Sequence, residues 1–124
     1  MAFTAYHNIT GSTGVSIELL APGDEINNIK SIVIANTHAT ADATISLFIQ
    51  DDPTTGTTST FYMLSTVAIP SDTSLLLDNS DMLSFNNSTE GFGLYLTVGS
   101  SDTLDVLIKV KYEMDRAKYI RLYI

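Results

Sequence analysis

Apolar and polar residues alternate with period two along most of this chain. Val15, Ile17 and Leu19 alternate with Ser16 and Glu18 until Ala21-Pro22-Gly23-Asp24 interrupts. Period two sends successive side chains to opposite faces, so the run predicts a strand followed by a turn. Ile45, Leu47 and Ile49 oppose Thr44, Ser46 and Gln50 up to Asp51-Asp52-Pro53, where proline withholds the amide hydrogen a ladder needs. Further strand-like runs lie at 61–69, 74–77, 92–98 and 104–112. Pro70-Ser71-Asp72, the polar stretch from Asn86 to Gly91, and Gly99-Ser100-Ser101-Asp102 separate them. The segment 29–36 is apolar on both parities, Ile29, Val33 and Ala35 on one and Ile32 and Ile34 on the other, which predicts a strand buried on both sides. Asn36 to Thr44 then reads as a small polar corner between two core strands.

No long amphipathic helix interrupts this pattern, and glycine and asparagine fall between the runs. Seven to nine short strands at such spacing predict an all-β antiparallel sandwich or jelly roll, because an open single sheet would leave one apolar face in water. We place this β-sandwich domain at residues 1–113. The remainder, 114–124, has two readings. As a strand, Ile120, Leu122 and Ile124 line one face and Tyr119, Arg121 and Tyr123 the other. As a helix, Met114, Ala117, Ile120, Arg121 and Ile124 share a stripe. The strand reading makes it an extended arm or final edge strand, which either closes its own sheet or lends itself to a neighbour.

Charge sharpens that division. The chain carries 14 acidic and 6 basic residues, a net charge of −8. Up to Ile108, twelve acidic residues face Lys30 alone, a net of −11; from Lys109 onward, five basic residues oppose Glu113 and Asp115, a net of +3. An acidic body with a basic tail repels phosphate backbones and anionic lipid headgroups over most of its surface, so neither nucleic acid nor membrane is an expected partner. The tail suits an acidic neighbour, including a second copy. At 124 residues and 44% hydrophobic content the chain has enough apolar matter for one core, and no run approaches the ~20 apolar residues that span a bilayer. The first eleven residues lack the features of a secretory signal, which leads us to expect a product that stays where it is made. With no cysteine there is no disulfide, no thiolate nucleophile and no Cys-based zinc site.

Catalytic constellations are scarce. His7 and His38 are the only imidazoles and fit no metal-ligand spacing, so His7 reads as an edge residue and His38 as a hydrogen-bonding loop residue. They are also the only bases a small hydrolase could use. No serine sits in a nucleophile elbow. Gly11-Ser12-Thr13-Gly14 lacks the lysine and helix of a phosphate loop and reads as a hairpin turn. Asp51-Asp52 and Asp78-Asn79-Ser80-Asp81 offer oxygens but not the spacing that wraps a chain around calcium. Glycosylation sequons begin at Asn8, Asn86 and Asn87, and read as chance matches. We expect no cofactor, no metal and no enzymatic activity.

Four stretches carry a resemblance: Ile29 to Thr37, Ala43 to Ile49, Tyr62-Met63-Leu64 leading to Val67-Ala68-Ile69-Pro70, and Ser74-Leu75-Leu76-Leu77-Asp78. Together with the ladder Leu104 to Val110, they resemble small virion structural proteins of tailed bacteriophages of marine and cyanobacterial hosts. The resemblance implies a non-enzymatic β-sandwich on head, neck or tail, present in several copies and located in the virion after assembly in the host cytoplasm. The leading expectation is therefore a capsid decoration or accessory subunit that forms a homo-oligomer and binds a larger shell or tail protein. Its expected interface is Arg116, Lys118, Tyr119, Ile120, Arg121, Leu122, Tyr123 and Ile124. The alternative is a carbohydrate-binding module of a receptor-binding fibre, using Tyr62, Tyr95 or the Asn86 to Thr89 loop.

Overall fold

The computed structural model describes residues 3–10, 15–51, 56–99 and 103–110. Eight strands run in the order β1 (Phe3–Thr10), β2 (Val15–Leu20), β3 (Ile29–Asn36), β4 (Ala43–Asp51), β5 (Thr60–Ile69), β6 (Ser74–Leu77), β7 (Phe92–Val98) and β8 (Thr103–Val110). One short helix, α1 (Ser80–Leu83), lies between β6 and β7. The strands form two four-stranded antiparallel sheets, ordered β1-β8-β3-β6 and β2-β7-β4-β5. Strands one and eight, two and seven, three and six, and four and five are hydrogen-bonded neighbours, as when one long hairpin is rolled up. That is the eight-stranded jelly roll.

The alternation read from the sequence explains each sheet's inner face. Ile32 and Ile34 on β3, Ile45 and Leu47 on β4, Leu94, Leu96 and Val98 on β7, and Leu104, Val106 and Ile108 on β8 are all essentially removed from water. They form one core cluster between the sheets. Leu83 of α1 joins them, so the helix seals one end of the sandwich. Asn79 caps α1 by accepting from the amides of Asp81 and Met82.

The topology corrects three expectations. β1 was not among the strands read from the sequence, and it pairs with β8 over eight residues. The hairpin turn expected at 11–14 lies outside the described residues, and the strands flanking it do not pair with each other: β1 pairs with β8 and β2 with β7, in different sheets. β3 is not buried on both sides: Ile32 and Ile34 face the core, whereas Val33 and Ala35 point outward and are half-buried. Its second apolar parity is an outer surface.

Candidate interaction surface

Two internal polar clusters absorb His38 and Asn87, two of the residues that looked like chemistry. The first is the Asn36 to Thr44 corner, which carries the chain from β3 in one sheet to β4 in the other. Asn36 is buried, and its Nδ2 donates to the carbonyls of Ala41 at 2.9 Å and Ile69 at 3.0 Å. Its Oδ1 accepts from the His38 amide at 3.0 Å. His38 Nδ1 in turn accepts from the amides of Thr40 and Ala41, so the imidazole acts as a loop cap. Thr37 Oγ1 reaches the carbonyl of Thr103 at the start of β8.

The second cluster centres on Asn87, whose side chain is 0% exposed. Its Nδ2 donates to the carbonyls of Ala21 at 2.9 Å and Phe92 at 2.8 Å, and its Oδ1 accepts from the Ile26 amide. Its own amide donates to Asn27 Oδ1, and its carbonyl accepts from Gly23 and Glu25. One side chain thus ties the β2–β3 connection to the β7 approach. Nearby Gly91 packs against the Asn86 backbone with no room for a Cβ. The loop offered as a sugar contact is therefore anchored inward, and the sequon asparagine at 87 is closed to a glycan.

Acidic side chains are similarly placed. Asp51 Oδ1 accepts from the Ser59 amide, bracing the β4–β5 connection. Among the described residues, no group of three or more His, Asp or Glu side chains is arranged to hold a metal ion. No helix among them is long and apolar enough to cross a membrane.

What remains outward-facing is the sheet surface. On β2-β7-β4-β5, one register line runs Glu18, Tyr95, Phe48, Tyr62. Phe48 is only 5% exposed because Tyr62 packs on one side, centroids 5.2 Å apart, and Tyr95 stacks on the other at 5.7 Å. Tyr95 Oη reaches Glu18 Oε2 at 3.4 Å. The carbohydrate reading named both tyrosines, and the fold does bring them to one face. Both rings pack on Phe48, and Tyr62 keeps 60% of its surface exposed.

On β1-β8-β3-β6, the corresponding line runs Tyr6, Leu107, Val33, Leu76, one residue from each strand. Tyr6 is 73% and Leu76 56% exposed, and Leu107 and Val33 between them are half-buried. No described element covers this row. A depression of about 370 Å³ lies alongside it, lined by Tyr6, His7, Asn8, Asp105, Val106 and Leu107.

The free edges differ in character. β5 carries two register shifts against β4, with Thr66 at φ 54° and its amide held by Ser46 Oγ, so this edge is kinked out of a pairing geometry. β1 keeps an unbroken register along all eight residues. The interface expected at Arg116, Lys118, Tyr119, Ile120, Arg121, Leu122, Tyr123 and Ile124 lies outside the described residues. The chain leaves β8 at Val110, beside Phe3 and Ile29. At that same end the β2–β3, β4–β5 and β6–β7 connections display Asp24, Glu25, Asp51, Asp78, Asp81 and Glu90.

No family model matches the sequence, and no curated protein matches it. Solved structures that the chain matches include three of infectious bursal disease virus. A chain of the Gx strain structure aligns over 88% of this chain at 16% identity with a TM-score of 0.52. Chains from the Gt strain structure and from the T13 viral particle each align over 89% at 13% and 12% identity, both with a TM-score of 0.49. This chain spans about a third of the length of each, covering 31%, 33% and 31% of them respectively. At such identity the Gx strain match shows a shared fold: the eight-stranded sandwich is similar to part of a chain in a virus structure.

Proposed function

We propose that this protein is a non-enzymatic structural subunit of a virus particle: a capsid decoration or accessory protein of a tailed bacteriophage, homo-oligomeric and bound to a larger shell or tail protein. The observation that carries this reading is the eight-stranded jelly roll, together with its likeness in fold to a chain of the Gx strain virus structure. Two further features support it. The His38 imidazole and the Asp51 carboxylate serve as caps of the connections, and the Asn87 amide ties two of them together. The segment after Val110 is basic and aromatic, and it departs from the acidic end of the sandwich. A neighbour's acidic end is then a complementary landing place for Arg116, Lys118 and Arg121, with Tyr119, Ile120, Leu122, Tyr123 and Ile124 supplying apolar area. The regular edge of β1 offers a second route, by addition of a strand.

Deleting residues 114–124 tests the arm. The expected result is a folded domain, unchanged in far-ultraviolet circular dichroism, that is lost from assembled particles. Unaltered incorporation would overturn the arm, and absence of the intact protein from purified particles would overturn the virion role itself.

A further inference from the structure

We infer that the outer face of β1-β8-β3-β6 is a self-association surface, on which a second copy of this chain packs face to face about a twofold axis running along the row Tyr6, Leu107, Val33, Leu76. This rests on the structural-subunit reading and names the surface through which two copies meet.

The row follows from register. Tyr6 pairs with Leu107, Leu107 with Val33 and Val33 with Leu76, so the four side chains emerge on one side along a line perpendicular to the strands. Their side is the outer one, because Ile32, Ile34, Val106 and Ile108 alternate with them into the core. Four strands at a spacing of about 4.8 Å give a face roughly 19 Å wide, and the eight-residue β8 makes it roughly 27 Å long. In plan that is on the order of 500 Å², at the low end of what specific association needs. A reversible, concentration-dependent dimer is the form it supports.

Charge selects the second copy as occupant and sets the axis. Asp105 and Lys109 lie two residues before and after Leu107 on β8, hence on the same outer face and on opposite sides of the row. A twofold axis along the row reverses the strand direction of the partner. Each Asp105 then stands opposite the partner copy's Lys109, and each Lys109 opposite the partner copy's Asp105. The other in-plane choice, an axis parallel to the strands, sets Asp105 over Ala35 and makes no such pair. Lys109 is exposed and has no ion-pair partner among the described residues. Asp105 accepts a hydrogen bond from Asn8 Nδ2 and keeps further acceptor capacity on its carboxylate. The same axis brings Tyr6 against the partner copy's Tyr6, and the depression beside it gives the two rings room to offset. The opposite sheet exposes Tyr62 as well, but it offers no such charge pair: Glu18 is the only charge in its register line.

The experiment is sedimentation equilibrium of the full chain between about 1 and 200 µM, with Tyr6→Glu, Lys109→Asp and the double variant Asp105→Lys/Lys109→Asp, each checked for native circular dichroism. Both single substitutions fall on exposed side chains and should fold. The expectation is a monomer–dimer equilibrium whose Kd rises at least tenfold in Tyr6→Glu and Lys109→Asp and returns to within a few-fold of the original in the double variant. A wild-type chain that stays monomeric across this range overturns the proposal. A dimer indifferent to Tyr6→Glu, held through another edge or the C-terminal segment, overturns it as well. Dissociation by Lys109→Asp without recovery in the double variant also does so, because it removes the axis. Incorporation of the chain into particles, measured separately, bears on the structural role alone.

Discussion

Asn87 shows what a single residue decides here. In the sequence it is one of several polar residues between Phe85 and Gly91, indistinguishable from a solvated loop position. In the fold it is fully buried and holds the carbonyls of Ala21 and Phe92 and the amide of Ile26. Asn87→Ala removes three part-buried hydrogen bonds, and the Ala21 carbonyl keeps only the Asp24 amide, so the substitution should cost about 3 kcal/mol. Chemical denaturation would read this as a lowered midpoint with unchanged slope; a midpoint within error of the wild type would contradict it. The signal that could have found Asn87 is indirect: an asparagine in a turn facing another turn of similar composition at 21–28. Its partners lie up to 66 residues away in sequence, and no local pattern specifies them. His38, in contrast, was legible as a loop hydrogen-bonder, because its partners Thr40 and Ala41 are its immediate neighbours.

At the level of elements, apolar runs bounded by turn residues located seven of the eight strands, and in β4, β7 and β8 one parity is buried against the other sheet. β1 escaped because Thr4, Tyr6 and Asn8 alternate with Ala5 and His7 too weakly to mark a face, and it is placed by its ladder with β8. The helix α1 is a single turn, too short for a period to register, and is specified by its Asn79 cap and by Leu83 entering the core. Strand position within each sheet sets local stability. β8, β3, β7 and β4 are hydrogen-bonded on both sides, whereas β1, β6, β2 and β5 are edges. Hydrogen exchange on the dilute protein should therefore show the slowest amides in the four central strands. In β1, alternate amides that point away from β8 should exchange fast. Uniform protection of β1 in the monomer would contradict the edge assignment, and protection gained only on assembly would mark β1 as the strand that receives a neighbour.

Across the whole molecule, charge and burial act with opposite signs. The core is aliphatic, no ion pair joins the described residues, and the part up to Ile108 carries a net charge of −11. Self-repulsion of that body weakens the fold at low ionic strength, whereas contacts between copies draw on opposite charges. Raising sodium chloride from about 20 to about 500 mM shortens the screening length severalfold. It should raise the thermal unfolding midpoint of the monomer while weakening self-association, and a parallel response of the two would refute this division. What the sequence determined by itself was the all-β class, the positions of seven strands, the inward parity of β4 and the separation of acidic body from basic tail. Each of these depends on neighbours within a few residues or on composition. Only the tertiary structure decided that the eight strands roll into paired sheets, that Val33 belongs to an outer surface, and that Tyr6, Leu107, Val33 and Leu76 share a line. Those relations depend on which distant strands pair and in what register, and one ladder of alternating residues looks locally like any other until the core between the sheets selects its partner.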